Sequence, residues 1–95
     1  MIYLKEVVDS KRKNKKYKAI FNNGGEVHFG QKGSSTFLDH GDEKKRMNYF
    51  NRHYALGEPL HDPFSPASLS MFLTWGPYTD LDKNIKHFNN KFFNI

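Results

Sequence analysis

Tyr17-Lys18-Ala19-Ile20-Phe21-Asn22-Asn23-Gly24-Gly25-Glu26-Val27-His28-Phe29 is the stretch that decides the fold. Tyr17, Ala19 and Phe21 recur at every second position, the period of a strand with one buried face. Asn22-Asn23-Gly24-Gly25 then supplies residues that tolerate the positive φ of a tight hairpin turn. Glu26 to Phe29 reads as the returning strand. A β-hairpin therefore lies near the start of the chain, and the remaining segments are placed around it.

On its N-terminal side, Met1 to Val8 reads as a further strand, with Ile2, Leu4 and one of Val7 or Val8 facing inward. Residues 10–16 are polar and cationic and are expected to form a solvated basic loop. On the C-terminal side, Gly30 to Gly41 reads as a loop anchored by Phe37 and Leu38. Asp42 to Tyr54 reads as a helix. It has Asp42 and Glu43 in its first turn and Arg52 and His53 in its last, the distribution that a helix dipole favours. Met47, Phe50 and Tyr54 share a helical spacing and are expected to be its buried stripe. After a second loop, Ala55 to Phe64, Ser65-Pro66 gives a helix start with Ser as N-cap and Pro in the first position. That helix carries Leu69, Met71, Phe72, Leu73 and Trp75, and Gly76-Pro77 ends it. Thr79-Asp80-Leu81-Asp82 reads as the cap of a last helix reaching about Phe92, with Leu81, Ile85, Phe88 and Phe92 on one face. The predicted architecture is α+β. An N-terminal antiparallel hairpin or small sheet of about three strands is followed by three short helices in a single domain, 1–95. Residues 93–95 are a candidate exposed tail.

The chain has 95 residues, near the lower end of what folds alone. Only 37% of residues are hydrophobic, but 16% are aromatic, so the core is expected to be small and built on rings. There is no cysteine, which excludes disulfides and thiolate metal sites and fits a reducing compartment. No apolar run reaches the roughly 20 residues of a membrane span. The first residues resemble neither a signal nor a transit peptide. A cytosolic or nuclear protein is expected, or one packaged into something assembled there. The formal net charge is +5. Residues 1–18 carry seven basic groups and two acids, while the remainder carries eight of each sign. The charge excess thus belongs to one segment of an otherwise neutral domain.

That segment is the strongest chemical feature. Lys11, Arg12, Lys13, Lys15, Lys16 and Lys18 form a candidate polyanion- or partner-binding set, able to neutralise phosphates with strong salt dependence. Tyr17 is the one aromatic beside it, which gives a single-strand binder little to stack on. The other patterns favour architecture over chemistry. His28, His40, His53, His61 and His87 lack a third ligand around the His40/His53 pair, so no metal is expected. Gly30-Gln31-Lys32-Gly33-Ser34-Ser35 lacks the ending of a phosphate loop and reads as a flexible turn. No nucleophile elbow is present, and Asp80/Asp82 are helix-start residues. No catalytic residue and no cofactor is expected. Phe72, Trp75 and Pro77 read as core, whereas Phe93 and Ile95 are left over from the buried face and are candidate partner contacts.

Val27-His28-Phe29-Gly30, Gly33-Ser34-Ser35, His40, Asp42, Lys44, Tyr49 and Arg52-His53 form one half of a larger pattern. Asp62-Pro63 through Leu73-Thr74-Trp75, then Ile85, Phe88 and Phe92, form the other. Together these residues, from about Lys16 to Phe92, resemble a small domain family of unknown function from large DNA viruses of algae and protists. The resemblance implies no catalytic activity and no small-molecule substrate. It implies a non-enzymatic structural protein, a minor capsid-associated cement of the virion. Such a protein would meet other capsid proteins, and would pass through host cytoplasm or nucleus during assembly. In that setting the basic loop faces an anionic membrane surface or acidic neighbours. The alternative is a packaged nucleic-acid-binding protein that uses residues 11–18. A small nuclease is the third and least favoured class.

Overall fold

Three strands joined by short turns pair antiparallel in the order in which they follow along the chain, as consecutive hairpins do. The computed structural model describes residues 1–95, with β1 at Leu4–Asp9, β2 at Lys15–Phe21 and β3 at Glu26–Gln31. The Asn22–Gly25 turn forms as the sequence indicates. Gly24 has φ +87°, and the Asn23 side chain accepts from the Gly25 amide at 2.9 Å. The first hairpin is longer-stranded than expected. Lys15 and Lys16 belong to β2, paired with β3 from Lys15 opposite Gln31 onward, so the basic loop shrinks to its tip, residues 10–14. The strand periodicity carries past Tyr17 because Lys15 continues the phase of Tyr17, Ala19 and Phe21.

One face of the sheet is solvated and the other is covered by helices. Leu4 and Val7 both meet the covered face although they are three residues apart. A register shift between Leu4 and Glu6 restores the phase, pairing Leu4 with Phe21 and Val7 with Ala19. Ile2, expected inside, is exposed.

Four helical segments follow: α1 (Phe37–His40), α2 (Glu43–Ala55), α3 (Pro66–Leu69) and α4 (Leu81–Phe93). α3 runs directly into a π-helical turn, Ser70–Thr74. The predicted Ser65 cap is in place, Asp42, expected in the first turn, caps its helix from just outside it, and the 79–82 capping signal is supplied by Asp80. Asp42 accepts from the amides of Lys44 and Lys45, Ser65 from Ser68, and Asp80 from Lys83. α1 is additional to the expected helices. Thr36 and Asp39 close a capping box around Phe37, which is buried. No helix is long and apolar enough to cross a membrane.

The core is Leu4, Ala19, Phe21, Phe29, Leu69, Leu73 and Phe88. Burying each of its large side chains is worth about 1.5–3 kcal/mol. α4 is also clamped to the outer edge of β1. The Asn89 side-chain amide accepts from Leu4 N at 2.8 Å and donates to Leu4 O at 2.9 Å, occupying the groups a further strand would use.

Two expectations are corrected by this packing. Phe93 is no exposed contact. It lies within α4 and packs edge-on against Phe21 and beside Phe64 and Phe88, while Phe92 packs on Phe72 and Phe88. The end of α4 is wedged between the sheet and the 56–64 loop, so both of its flanks find apolar neighbours. Ile95 remains 45% exposed. The α2 stripe is the second correction. Met47, Phe50 and Tyr54 are 65%, 42% and 69% exposed, and α2 has no buried residue. The helix docks through the neighbouring stripe, Arg46, Tyr49 and His53. Arg46 Nε donates to the carbonyls of Trp75 and Gly76 at 3.1 and 2.9 Å. The Tyr49 ring stacks on Trp75 at 4.2 Å and 7°. His53 Nδ1 and Glu58 Oε2 are 2.6 Å apart.

Candidate polyanion site: a basic sheet end and an adjoining cleft

Strand phase divides the cationic run into two groups. Lys16 and Lys18 lie on the solvated face and are partnered. Lys16 donates to Ser34 O at 3.1 Å and sits 3.8 Å from Asp39, and Lys18 sits 3.5 Å from Glu26. Such exposed pairs add little to stability, but they remove two cations from the expected binding set. Lys11, Arg12 and Lys13 occupy the exposed hairpin tip and form no ion pair. Lys15 lies on the covered face of the sheet. Its strand partner Gln31 is followed by Lys32, which the sequence reading left out, and Lys32 is exposed and unpaired as well. Five free cations therefore gather at one end of the sheet, with Asp9 the nearest acid along the chain.

Beside this end lies an open cleft of about 760 Å³. Lys15, Gly30 and Gln31 form its sheet wall, and Ser34, Ser35 and Thr36 its rim. Tyr49, Arg52 and His53 of α2 face it from the other side, and Ser70, Thr74 and Trp75 of the π turn make the back. The π turn matters here. Trp75 N donates to Ser70 O at 3.0 Å, one residue further back than in an α-helix. Thr74 Oγ1 donates to the same carbonyl at 2.9 Å. Widened turns of this kind recur at functional sites.

The charge of the cleft is positive. Glu58 is its one carboxylate and is taken by His53. Lys15 and Arg52 have no acidic partner, and Arg52 lies over the Tyr49 ring at 5.8 Å. Burial raises the Tyr49 phenol pKa, Glu58 adds to the rise, and Ser70 and Arg52 oppose it. Tyr49 therefore stays neutral across the physiological range and brings no negative charge to the cleft. Asp39, in α1 outside the cleft lining, is held below the usual carboxylate range, first by the Thr36 amide and also by Lys16. It is a structural anion already spoken for by α1.

The histidines fall outside any metal cluster. No three His, Asp or Glu side chains come together in a form that could hold an ion. His40 and His53 instead end a ladder of rings. His40 packs on Trp75 at 5.2 Å, Trp75 on Tyr49, and Tyr49 on His53 at 4.0 Å. His40 Nδ1 accepts from Asp42 N, which leaves its buried Nε2 without a partner.

His28 reports on the basic end. Its Nδ1 lies 2.7 Å from Ser10 Oγ. Desolvation lowers its pKa below 6.5, and Arg12, Lys18 and Lys15 lower it further against Glu26. The folded chain thus holds this proton less tightly than the unfolded chain. Stability contributed by neutral His28 is present above pH about 6.5 and is lost as pH falls below it. His28→Gln should flatten the decline of the urea midpoint between pH 7 and pH 5.5. An unchanged slope would place that decline on other groups.

No curated protein and no solved structure matches this chain at a significant level. One family model does match, over residues 5–53, described as a family of unknown function (DUF5754). The match runs from β1 to the end of the His53 turn. It takes in the basic tip, Lys15, the Ser34–Thr36 rim and the α2 wall of the cleft, and it stops before the π turn. Spanning about half of the chain and all of its sheet but Leu4, that match makes this chain a member of the family of unknown function DUF5754.

Proposed function

We propose that the domain is a non-enzymatic binding protein that holds the phosphate backbone of a nucleic acid at the basic end of its sheet. One observation carries the reading: Lys11, Arg12, Lys13, Lys15 and Lys32 are collected at one end with no carboxylate paired to them, whereas their neighbours Lys16 and Lys18 have acidic partners. Unneutralised cations at close quarters raise the local anion concentration and release counterions on binding. A binding role also suits the cleft. Its carboxylate is engaged by His53, and the protein's one Ser–His hydrogen bond, Ser10 to His28, lies away from it.

The test is affinity for a short duplex as a function of salt. With five phosphate contacts, log K should fall against log salt with a slope of about −4.5. The triple change Lys11→Ser, Arg12→Ser, Lys13→Ser should flatten that slope by about 2 to 3. Lys16→Ser with Lys18→Ser should change it far less, because those side chains are partnered within the protein. Equal effects from the two sets would sink the assignment to the hairpin tip.

A second reading draws on the solvent-facing stripe of Met47, Phe50 and Tyr54 on α2. Exposed aromatic and Met side chains favour protein contacts. On this reading the domain is a structural component of an assembly and, following the resemblance, a minor capsid-associated protein of a large DNA virus particle. Absence of nucleic-acid binding at about 0.15 M salt would leave that reading in place of the first.

A further inference from the structure

We infer that the cleft takes one unpaired nucleotide, so that the protein prefers single-stranded over double-stranded nucleic acid. The inference rests on the nucleic-acid reading above and adds the form of the polymer. A volume of about 760 Å³ is within the range of small-ligand pockets. A base, sugar and phosphate fit such a space, and a duplex does not enter it.

The lining matches the parts of a nucleotide. Lys15 and Arg52 face the cleft from opposite walls, free of carboxylates, and suit a phosphate between them. Ser34 and Ser35 on the rim add hydroxyls that no other side chain occupies. Tyr49 and Trp75 also line the cleft; their faces are taken by each other and by His53 and His40, so a base meets them at their ring edges. In sequence these rings are far from the cationic run, and folding brings them beside it. Lys15 belongs both to the cleft and to the basic end, so a strand can place one unit in the cleft and run its neighbouring phosphates over Lys11, Arg12, Lys13 and Lys32.

Trp75 is the chain's only tryptophan and reports the cleft by its own fluorescence. The full chain is titrated with a short single-stranded oligonucleotide, with the duplex of the same sequence, with a nucleoside 5′-monophosphate and with inorganic phosphate. The expected result is at least roughly tenfold tighter binding of the single strand, and a Trp75 signal from the monophosphate that inorganic phosphate does not produce. Arg52→Gln should lose roughly tenfold for the single strand and leave the duplex unchanged. Arg52 is exposed and in no ion pair, so the variant is expected to fold; Ser34→Ala with Ser35→Ala gives the same comparison from the rim. Equal affinity for the two forms, with Arg52→Gln affecting both alike, overturns the inference and leaves the basic end as a backbone binder. A response to inorganic phosphate equal to that of the nucleotide also overturns it. No binding of either polymer removes both this inference and the function it rests on.

Discussion

Asn84→Ala is expected to lower stability by about 4 kcal/mol, a large share of the roughly 5–15 kcal/mol available to a small domain. Asn84 is fully buried near the start of α4. Its Nδ2 donates to Leu73 O at 2.7 Å and to Tyr78 O at 2.8 Å, and its Oδ1 accepts from Tyr78 N at 3.0 Å. One amide thereby satisfies both backbone groups of Tyr78, in a turn with no helix or strand to satisfy them, and the Leu73 carbonyl at the end of the π turn. Leaving each unpaired costs about 1–3 kcal/mol, less where water reaches the half-exposed Tyr78 segment. The approach is close enough that Gly76 tolerates no side chain. A Cβ there would lie 2.7 Å from Asn84 Cγ and 2.8 Å from Oδ1, and would strike the Phe72 carbonyl. Asn84→Asp should be as damaging as Asn84→Ala, since a carboxylate cannot donate to two carbonyls. Urea unfolding at unchanged m-value measures the loss. A change under about 1 kcal/mol for both variants would mean that the turn finds other partners.

What the sequence makes legible is local. The Asn22–Gly25 hairpin, the Ser65 cap and the capping signal at 79–82 follow from turn and cap chemistry contained within a few residues, and all are present. What it conceals depends on phase and on distant partners. Residues 46, 49 and 53 share the spacing of 47, 50 and 54, so periodicity alone allows either stripe of α2 to dock. Hydropathy points to Met47, Phe50 and Tyr54. The folded chain chooses Arg46, Tyr49 and His53 because Trp75, two carbonyls and Glu58 await them. The cationic run was visible as composition, yet its division into partnered Lys16 and Lys18 and free Lys15 required the phase of β2. Lys32 joins the basic end only through the pairing of Lys15 with Gln31. Tyr49 and Trp75 were likewise visible as residues, but nothing in their positions along the chain puts them beside the cations. The clue available was Trp75 ahead of Gly76-Pro77, an aromatic at a helix end, where side chains often reach beyond their own element.

Trp75→Ala is expected to release α2 while the sheet and α4 stay folded. The helix has no buried residue, so its attachment rests on a few points: the Arg46 bonds to backbone, the Tyr49–Trp75 stack and the His53–Glu58 contact. Removing the indole takes away the stack and the His40 contact together. Truncating a buried Trp costs about 3–5 kcal/mol, and the half-buried position of Trp75 puts the loss near 3. Because the seven core residues are untouched, the loss should fall on α2 as local opening rather than on the whole domain. Hydrogen exchange resolves this. Amides of α2 should exchange much faster in the variant, while those of β2, at the centre of the sheet, keep their protection. Trp75→Phe retains a ring for Tyr49 and should recover most of the difference. If α2 amides in Trp75→Ala keep wild-type protection, the polar contacts alone hold the helix and the stack is incidental. The same variant separates the two parts of the candidate site. Opening α2 removes Arg52 and Tyr49 from the cleft but leaves the hairpin tip in place. Salt-dependent duplex binding should therefore survive where the single-strand preference is lost.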